Sequence, residues 1–180
     1  GTREQEVVKL QWDWECPVME LGTSVFVIPK QFVKNSEERL IVLNDVARSV
    51  IDEQRGVHAT RVFTYKGRPV TKMLDSAWRT ARKRAAARYE AVIGEKCPDG
   101  FRSIRVHALK HTFGRRLRAV GVSMEDRQDL LGHKSSRITT HYSSAELTHL
   151  IAAADKVCDS DSRKSPAMTL IRSRRQLATA

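Results

Sequence analysis

The sequence predicts an α+β fold, mainly helical, with a small antiparallel sheet near the N-terminus. Three observations lead there. Two short apolar, mostly β-branched runs, Val25-Phe-Val-Ile28 and Leu40-Ile-Val-Leu43, sit early in the chain at strand length. From Thr71 to about Val92 the residues are strong helix formers with apolar positions at helical spacing. Further on, Gly121 and Gly132 each follow a helical pattern where a C-terminal stop belongs.

The elements follow in order. Residues 3–10 read as the end of a helix with Val7 and Leu10 on one face. Trp12 and Trp14 alternate with Asp13 and Glu15, as in a short half-buried strand. The two apolar runs then form a hairpin around the basic loop Pro29–Arg39. Asn44 is a good N-cap for a helix over 45–54. Arg61–Tyr65 suits another short strand, closed by Lys66-Gly67-Arg68-Pro69. The helix from Thr71 places Met73, Leu74, Ala77, Trp78 and Ala81 on an apolar side. Its charges are Arg79, Arg82, Lys83, Arg84 and Arg88. A loop with Gly94, Pro98 and Gly100 precedes a helix from His107 to Val120. Ser123 then caps a helix ending at Gly132, with an acid three positions on. An alanine-rich helix over 145–157 leads to a polar, basic tail, 159–180.

Composition narrows the function. The 180 residues, 41% hydrophobic and 29% charged, fit one soluble domain with a real core. No apolar run approaches the roughly 20 residues needed to span a bilayer. The start is polar, without a secretory signal, and lacks Met, so a fragment of a longer protein is expected. A formal charge of +11 favours a polyanionic partner, with nucleic acid ahead of an anionic membrane. Cys16, Cys97 and Cys158 are far apart and odd in number. They predict neither a disulfide framework nor a thiolate zinc site, and a reducing interior is expected.

The most informative stretch is His107-Ala-Leu-Lys110-His111, then Leu131-Gly-His133, then Tyr142. Phosphodiester transfer needs a nucleophilic hydroxyl, proton donors and acceptors, and cations around a phosphate. This basic segment holds all of them. His107 and His111 also stand at i, i+4, the spacing of a helical zinc pair. The glutamate of such a motif is missing, because position 108 is Ala, so no metal is expected.

On these residues the chain resembles the tyrosine recombinases, the phage-integrase type of site-specific recombinase. That family carries His-x-Leu-Arg-His, Leu-Gly-His and a tyrosine about nine residues later. Gly1-Thr-Arg3-Glu-Gln-Glu6 resembles its Gly-x-Arg-x-x-Glu segment, and Val33-Lys34-Asn35 with Arg39–Leu43 resembles its lysine-bearing hairpin. The resemblance implies the tyrosine-recombinase catalytic fold over 1–158, without the family's N-terminal DNA-clamping domain. It implies catalytic roles for Arg3, Lys34 (with Lys30 as rival), His107, Lys110, His133 and Tyr142. By its i, i+3 spacing on one face, Glu6 would orient Arg3 or a neighbour rather than do chemistry. Arg79, Arg82 and Lys83 are candidates for DNA contact. No cofactor or metal is implied.

The expected partners are double-stranded DNA at specific attachment sites, three further protomers in a tetramer on synapsed DNA, and accessory DNA-bending proteins. No membrane partner is implied, and a bacterial cytoplasmic, nucleoid-associated location follows. The tail 159–180 would dock on a neighbouring subunit. One departure stands out. The family's second arginine is Lys110 here, and lysine lacks the planar bidentate fork. Lys110 either makes a weaker single phosphate contact in a working enzyme or marks a catalytically impaired DNA-binding module. A type IB topoisomerase uses the same chemistry, but the compact spacing argues against it.

Overall fold

The two apolar runs pair as expected. In the computed structural model, which describes residues 1–34, 36–133 and 142–158, β2 (Thr23–Ile28) and β3 (Arg39–Val42) are antiparallel, with Phe26 opposite Ile41. A third strand, β1 (Glu15–Val18), joins the other side of β2, giving the order β1-β2-β3. Pro17 lies in β1, tolerated because an edge strand need not donate on its outer side.

The expected strand around Trp12–Glu15 is corrected. Trp12–Trp14 is a 3-10 turn, and β1 starts only at Glu15. A strand would send both indoles to one face. The turn separates them: Trp12 Nε1 donates to the His58 carbonyl (3.0 Å), while Trp14 is buried against Phe32. The first helix is also shorter than expected. In α1 (Glu4–Val8) it is Glu6 and Val8 that are buried, while Val7 is exposed. Leu10 is buried beyond the helix end.

β3 divides two hydrophobic cores. Ile41 and Leu43 face a core with Phe26, Ile28, Ile51 and Val62. Leu40 and Val42 face the other, built on Leu117, Leu130, Leu150 and Val157. Covered on both faces, β3 is apolar at Leu40, Ile41 and Val42 in succession, and Leu43 just past it continues the run rather than alternating. Helix α2 (Asp45–Asp52) closes the first core, and Asn44 Oδ1 accepts from the Ala47 amide (2.9 Å) as its cap. The strand expected over Arg61–Tyr65 contracts to β4 (Thr64–Tyr65), paired with β5 (Arg68–Pro69). Lys66 and Gly67 both have positive φ, as a two-residue hairpin turn requires.

Three helices build the second core. They are α4 (Val106–Ala119), α5 (Met124–Leu131) and α6 (Ser144–Asp155), the last running into a 3-10 turn to Cys158. Ser123 Oγ accepts from the Asp126 amide (3.0 Å), the expected cap of α5. Asp126 also meets His149 (3.0 Å), tying α5 to α6.

Helix α3 (Asp75–Ile93) departs most from expectation. It begins four residues after Thr71, and Leu74, Ala77 and Ala81 stay exposed. Its docked side carries Trp78, Arg82, Ala86 and Tyr89. Trp78 Nε1 (2.7 Å) and Arg82 Nη1 (2.9 Å) both donate to the Ile104 carbonyl, and Tyr89 meets Phe101. The helix leans on the Phe101–Ile104 turn, where donors matter more than apolar area. The three cysteines are free thiols. No helix among the described residues is long and apolar enough to cross a membrane. The expected docking tail 159–180 lies outside the described residues.

Leu117 is fully buried at the centre of the second core, whereas Val92 on α3 is 73% exposed. Leu117→Ala is expected to cost about 2–5 kcal/mol, and Val92→Ala less than about 0.5 kcal/mol. Urea unfolding of both variants checks this. A Leu117→Ala cost below about 1 kcal/mol would contradict a close-packed second core.

Candidate active site

The site is organised around the C-terminus of α5. A helix end leaves four carbonyls without intrahelical donors, and here each finds a partner. The Gln128 carbonyl accepts from the His133 amide (3.0 Å), and the Asp129 carbonyl from the Gly132 amide (3.1 Å). Asp129 and Leu130 also accept from Arg39, through Nη1 (2.6 Å) and Nη2 (2.8 Å). The Leu131 carbonyl accepts from Lys110 Nζ (2.5 Å). Two cations at a helix C-terminus are favourable, about 0.3–1 kcal/mol each when exposed and up to about 2 kcal/mol when partly buried.

Glycines let this junction close. Gly132 adopts φ +60°, and a methyl group there would overlap the Arg39 guanidinium. A Cβ on Gly1 would come within 2.6 Å of Leu131 Cδ2, and one on Gly114 within 3.1 Å of Leu131 Cδ1. The first residues and α4 are thereby brought hard against the end of α5.

Arg3 precedes α1, and Glu6 holds it twice. The Arg3 amide donates to Glu6 Oε2 (2.9 Å), and Arg3 Nη1 donates to Glu6 Oε1 (2.8 Å). Glu6 is 4% exposed while the Arg3 side chain keeps a quarter of its surface open. The carboxylate is the buried anchor and the guanidinium the outward group, the orienting role expected of Glu6.

Arg3, Arg39 and Lys110 act on one another electrostatically. Burial, followed by Arg3 and Arg39, pulls Lys110 from 10.5 down to about 8, with Glu6 opposing. Burial first, then Lys110, Arg3, Arg39 and His111, lowers His133 below its usual value. His133 is therefore a neutral imidazole near pH 7, able to accept a proton. His107 is exposed on α4 and stacks edge-on with His111 at 4.8 Å. Of that pair, His111 is the one that acts on His133.

Tyr142 is half-buried, packed on the second core just before α6. Burial first, then Asp129 and Glu146, raises its phenol above 10, while Arg39 opposes them. The phenol is protonated at neutral pH, so a nucleophilic role requires a proton acceptor.

The structure thus sets Lys110 and His133 at the end of α5, within electrostatic reach of Arg3, and Arg39 acts electrostatically on both His133 and Tyr142. Lys34 stands exposed on the loop between β2 and β3, and this arrangement forms without it. Its neighbour Asn35, and residues 134–141 between His133 and Tyr142, lie outside the described residues. Among the DNA-contact candidates, Arg79 and Lys83 are exposed on α3, while Arg82 is half-buried and spends Nη1 on Ile104. Among the described residues no three His, Cys, Asp or Glu side chains converge as a metal site would require.

Arg39 was not foreseen as part of the site. It is 7% exposed, and burial lowers its pKa. The available signal was an arginine heading an apolar strand, since a buried charge is almost always paired. Its partners lie 90 residues away, and no local pattern names them.

The model of the phage integrase family matches residues 1–149. The integrase of Salmonella phage P22 is 26% identical over 170 residues, covering 87% of this chain and 39% of that protein. The chain therefore spans about two fifths of that relative's length. No solved structure matches the chain.

The lowered pKa of Lys110 has a signed consequence. Between pH 8 and 10.5 the unfolded chain holds this proton and the folded chain does not. The lysine's contribution to stability therefore rises with pH across that window. Relative to Lys110→Met, the unmodified chain is expected to gain stability from pH 8 to 10, measured by urea unfolding at each pH. A difference that stays flat or falls would contradict the desolvated environment of Lys110.

Proposed function

The chain belongs to the phage integrase family, the tyrosine recombinases, and from that premise we propose that it is the catalytic part of a site-specific DNA recombinase. It cleaves and rejoins duplex DNA through a 3′-phosphotyrosyl intermediate, integrating or excising a mobile element. Residues 1–158 form the catalytic domain, and 159–180 a basic tail that docks on a neighbouring subunit. The observation that carries the reading is that Lys110 and His133 meet at the end of α5 within electrostatic reach of Arg3, while Arg39 acts on both His133 and Tyr142.

Each role follows from chemistry. The Tyr142 oxygen attacks phosphorus and the bond to the 5′ oxygen breaks. The tyrosine proton passes to neutral His133, and the leaving 5′ oxygen takes a proton from Lys34. Arg3, preset by Glu6, grips the non-bridging oxygens with the free edge of its fork. Lys110 adds a single point charge, and His107 a hydrogen-bond donor. The phosphotyrosyl ester stores the bond energy, so rejoining needs no nucleotide cofactor. Exposed Arg79 and Lys83 on α3 contact DNA phosphates, making affinity salt-dependent. Four protomers act on two duplexes, with DNA-bending proteins as accessories, in the bacterial nucleoid.

One observation favours a second reading, a binding module that no longer cleaves. Lys110 stands where the family has arginine, and its amine is engaged by the Leu131 carbonyl. Covalent trapping separates the two. The full-length protein is incubated with a nicked suicide duplex carrying its element's attachment site. A denaturation-resistant adduct is expected, abolished by Tyr142→Phe. Salt-sensitive DNA binding without any adduct would establish the binding-only reading.

A further inference from the structure

Lys110 and Arg39 cap the same helix end, yet they are built differently. Arg39 presents a planar fork to two adjacent carbonyls from 7% exposure, locked beneath Gly132. Lys110 reaches one carbonyl with a flexible four-carbon stem and is only half-buried. A lysine ammonium can swing from one acceptor to another at little cost, while a bidentate buried guanidinium cannot. If Lys110 turned to a phosphate, only the Leu131 carbonyl would lose its donor. Arg39 would still hold Asp129 and Leu130, and the Gly132 and His133 amides would keep their helical acceptors.

We infer that Arg39 is a positioning residue for phosphoryl transfer: it clamps the end of α5, so that Lys110 can leave its carbonyl for the scissile phosphate while Gly132–His133 stay in place. The inference rests on the recombinase reading above. Arg39 acts through α5 rather than on the substrate: it is 7% exposed and each Nη holds a backbone carbonyl, while its Nε is buried without a partner among the described residues. The fork's place requires the bare Cα of Gly132, since a Cβ at 132 would overlap the guanidinium and displace it. Arg39 also reaches electrostatically to Tyr142, so one buried group is coupled to nucleophile and histidine alike.

The test uses the full-length protein with three variants, Arg39→Lys, Gly132→Ala and Lys110→Met. Hydrogen exchange at the Gly132 and His133 amides reports the clamp. The rate of adduct formation on the nicked suicide duplex reports chemistry, and affinity for the intact duplex reports binding. Arg39→Lys keeps the charge but cannot bridge two carbonyls. It is expected to speed exchange at both amides and slow adduct formation at least about tenfold, with affinity nearly unchanged. Lys110→Met is expected to slow adduct formation while leaving that exchange within about twofold of the unmodified protein. This contrast is one that a general loss of stability would not produce. Should Arg39→Lys fail to fold, Gly132→Ala, which evicts the fork with Arg39 present, is read in the same way.

Unchanged exchange in the Arg39 or Gly132 variant, or adduct formation at the unmodified rate, would overturn the inference. So would equal loosening by Lys110→Met, since Lys110 would then be the clamp. An unmodified protein that forms no adduct defeats the recombinase reading instead, and the exchange results then stand apart from it.

Discussion

The structure depends most on how the C-terminus of α5 is satisfied. Four carbonyls end there, and backbone amides alone do not serve them all. Arg39 comes from β3 and Lys110 from α4, so capping this helix also fixes the sheet to the helical layer. Burying an arginine is costly unless its donors are used. Two carbonyls at the negative end of a helix dipole are a suitable destination. The same two bonds that stabilise the fold gather positive charge beside His133. Fold and site thus share the Arg39 bonds to the end of α5.

β3 explains why this junction sits where it does. Its successive side chains serve two cores, Ile41 and Leu43 on one side and Leu40 and Val42 on the other. A strand between two cores is held firmly, and Arg39 at its head inherits that rigidity. α5 and α6 are packed on the far side and joined by Asp126 and His149. Tyr142 packs on the second core just before α6. To that core α4, the helix of Lys110, contributes Leu117, which limits the relative motion of Tyr142 and Lys110.

Helix α3 follows a different rule. It carries much of the positive charge, yet only Ala86 is buried along its 19 residues. Two side-chain donors to one carbonyl, one aromatic contact, and Glu90, which accepts from the Cys97 amide and Arg102, hold it. That anchoring spends Arg82 and leaves Arg79 and Lys83 facing water. The cost of leaving Leu74, Val92 and Ile93 exposed is accepted in the same geometry.

What the sequence determined by itself was local or repetitive. Short continuous apolar, β-branched runs located β2 and β3, Asn44 and Ser123 marked helix starts, and Gly132 marked a helix stop, because these signals act over a few residues. The linear order of Arg3, Lys110, His133 and Tyr142 was legible as a pattern, as was the orienting role of Glu6 at i+3. Only the tertiary structure decided the rest. β1 was hidden by the two tryptophans that the 3-10 turn sends apart. The apolar side of α3 misled because a helix can dock through hydrogen bonds to a loop. Arg39 was invisible as a site residue because its acceptors are carbonyls on α5, and any residue type can offer a carbonyl. Side-chain pattern is written in sequence, but which backbone oxygens lack a donor is known only once the helix has ended and its neighbours have arrived.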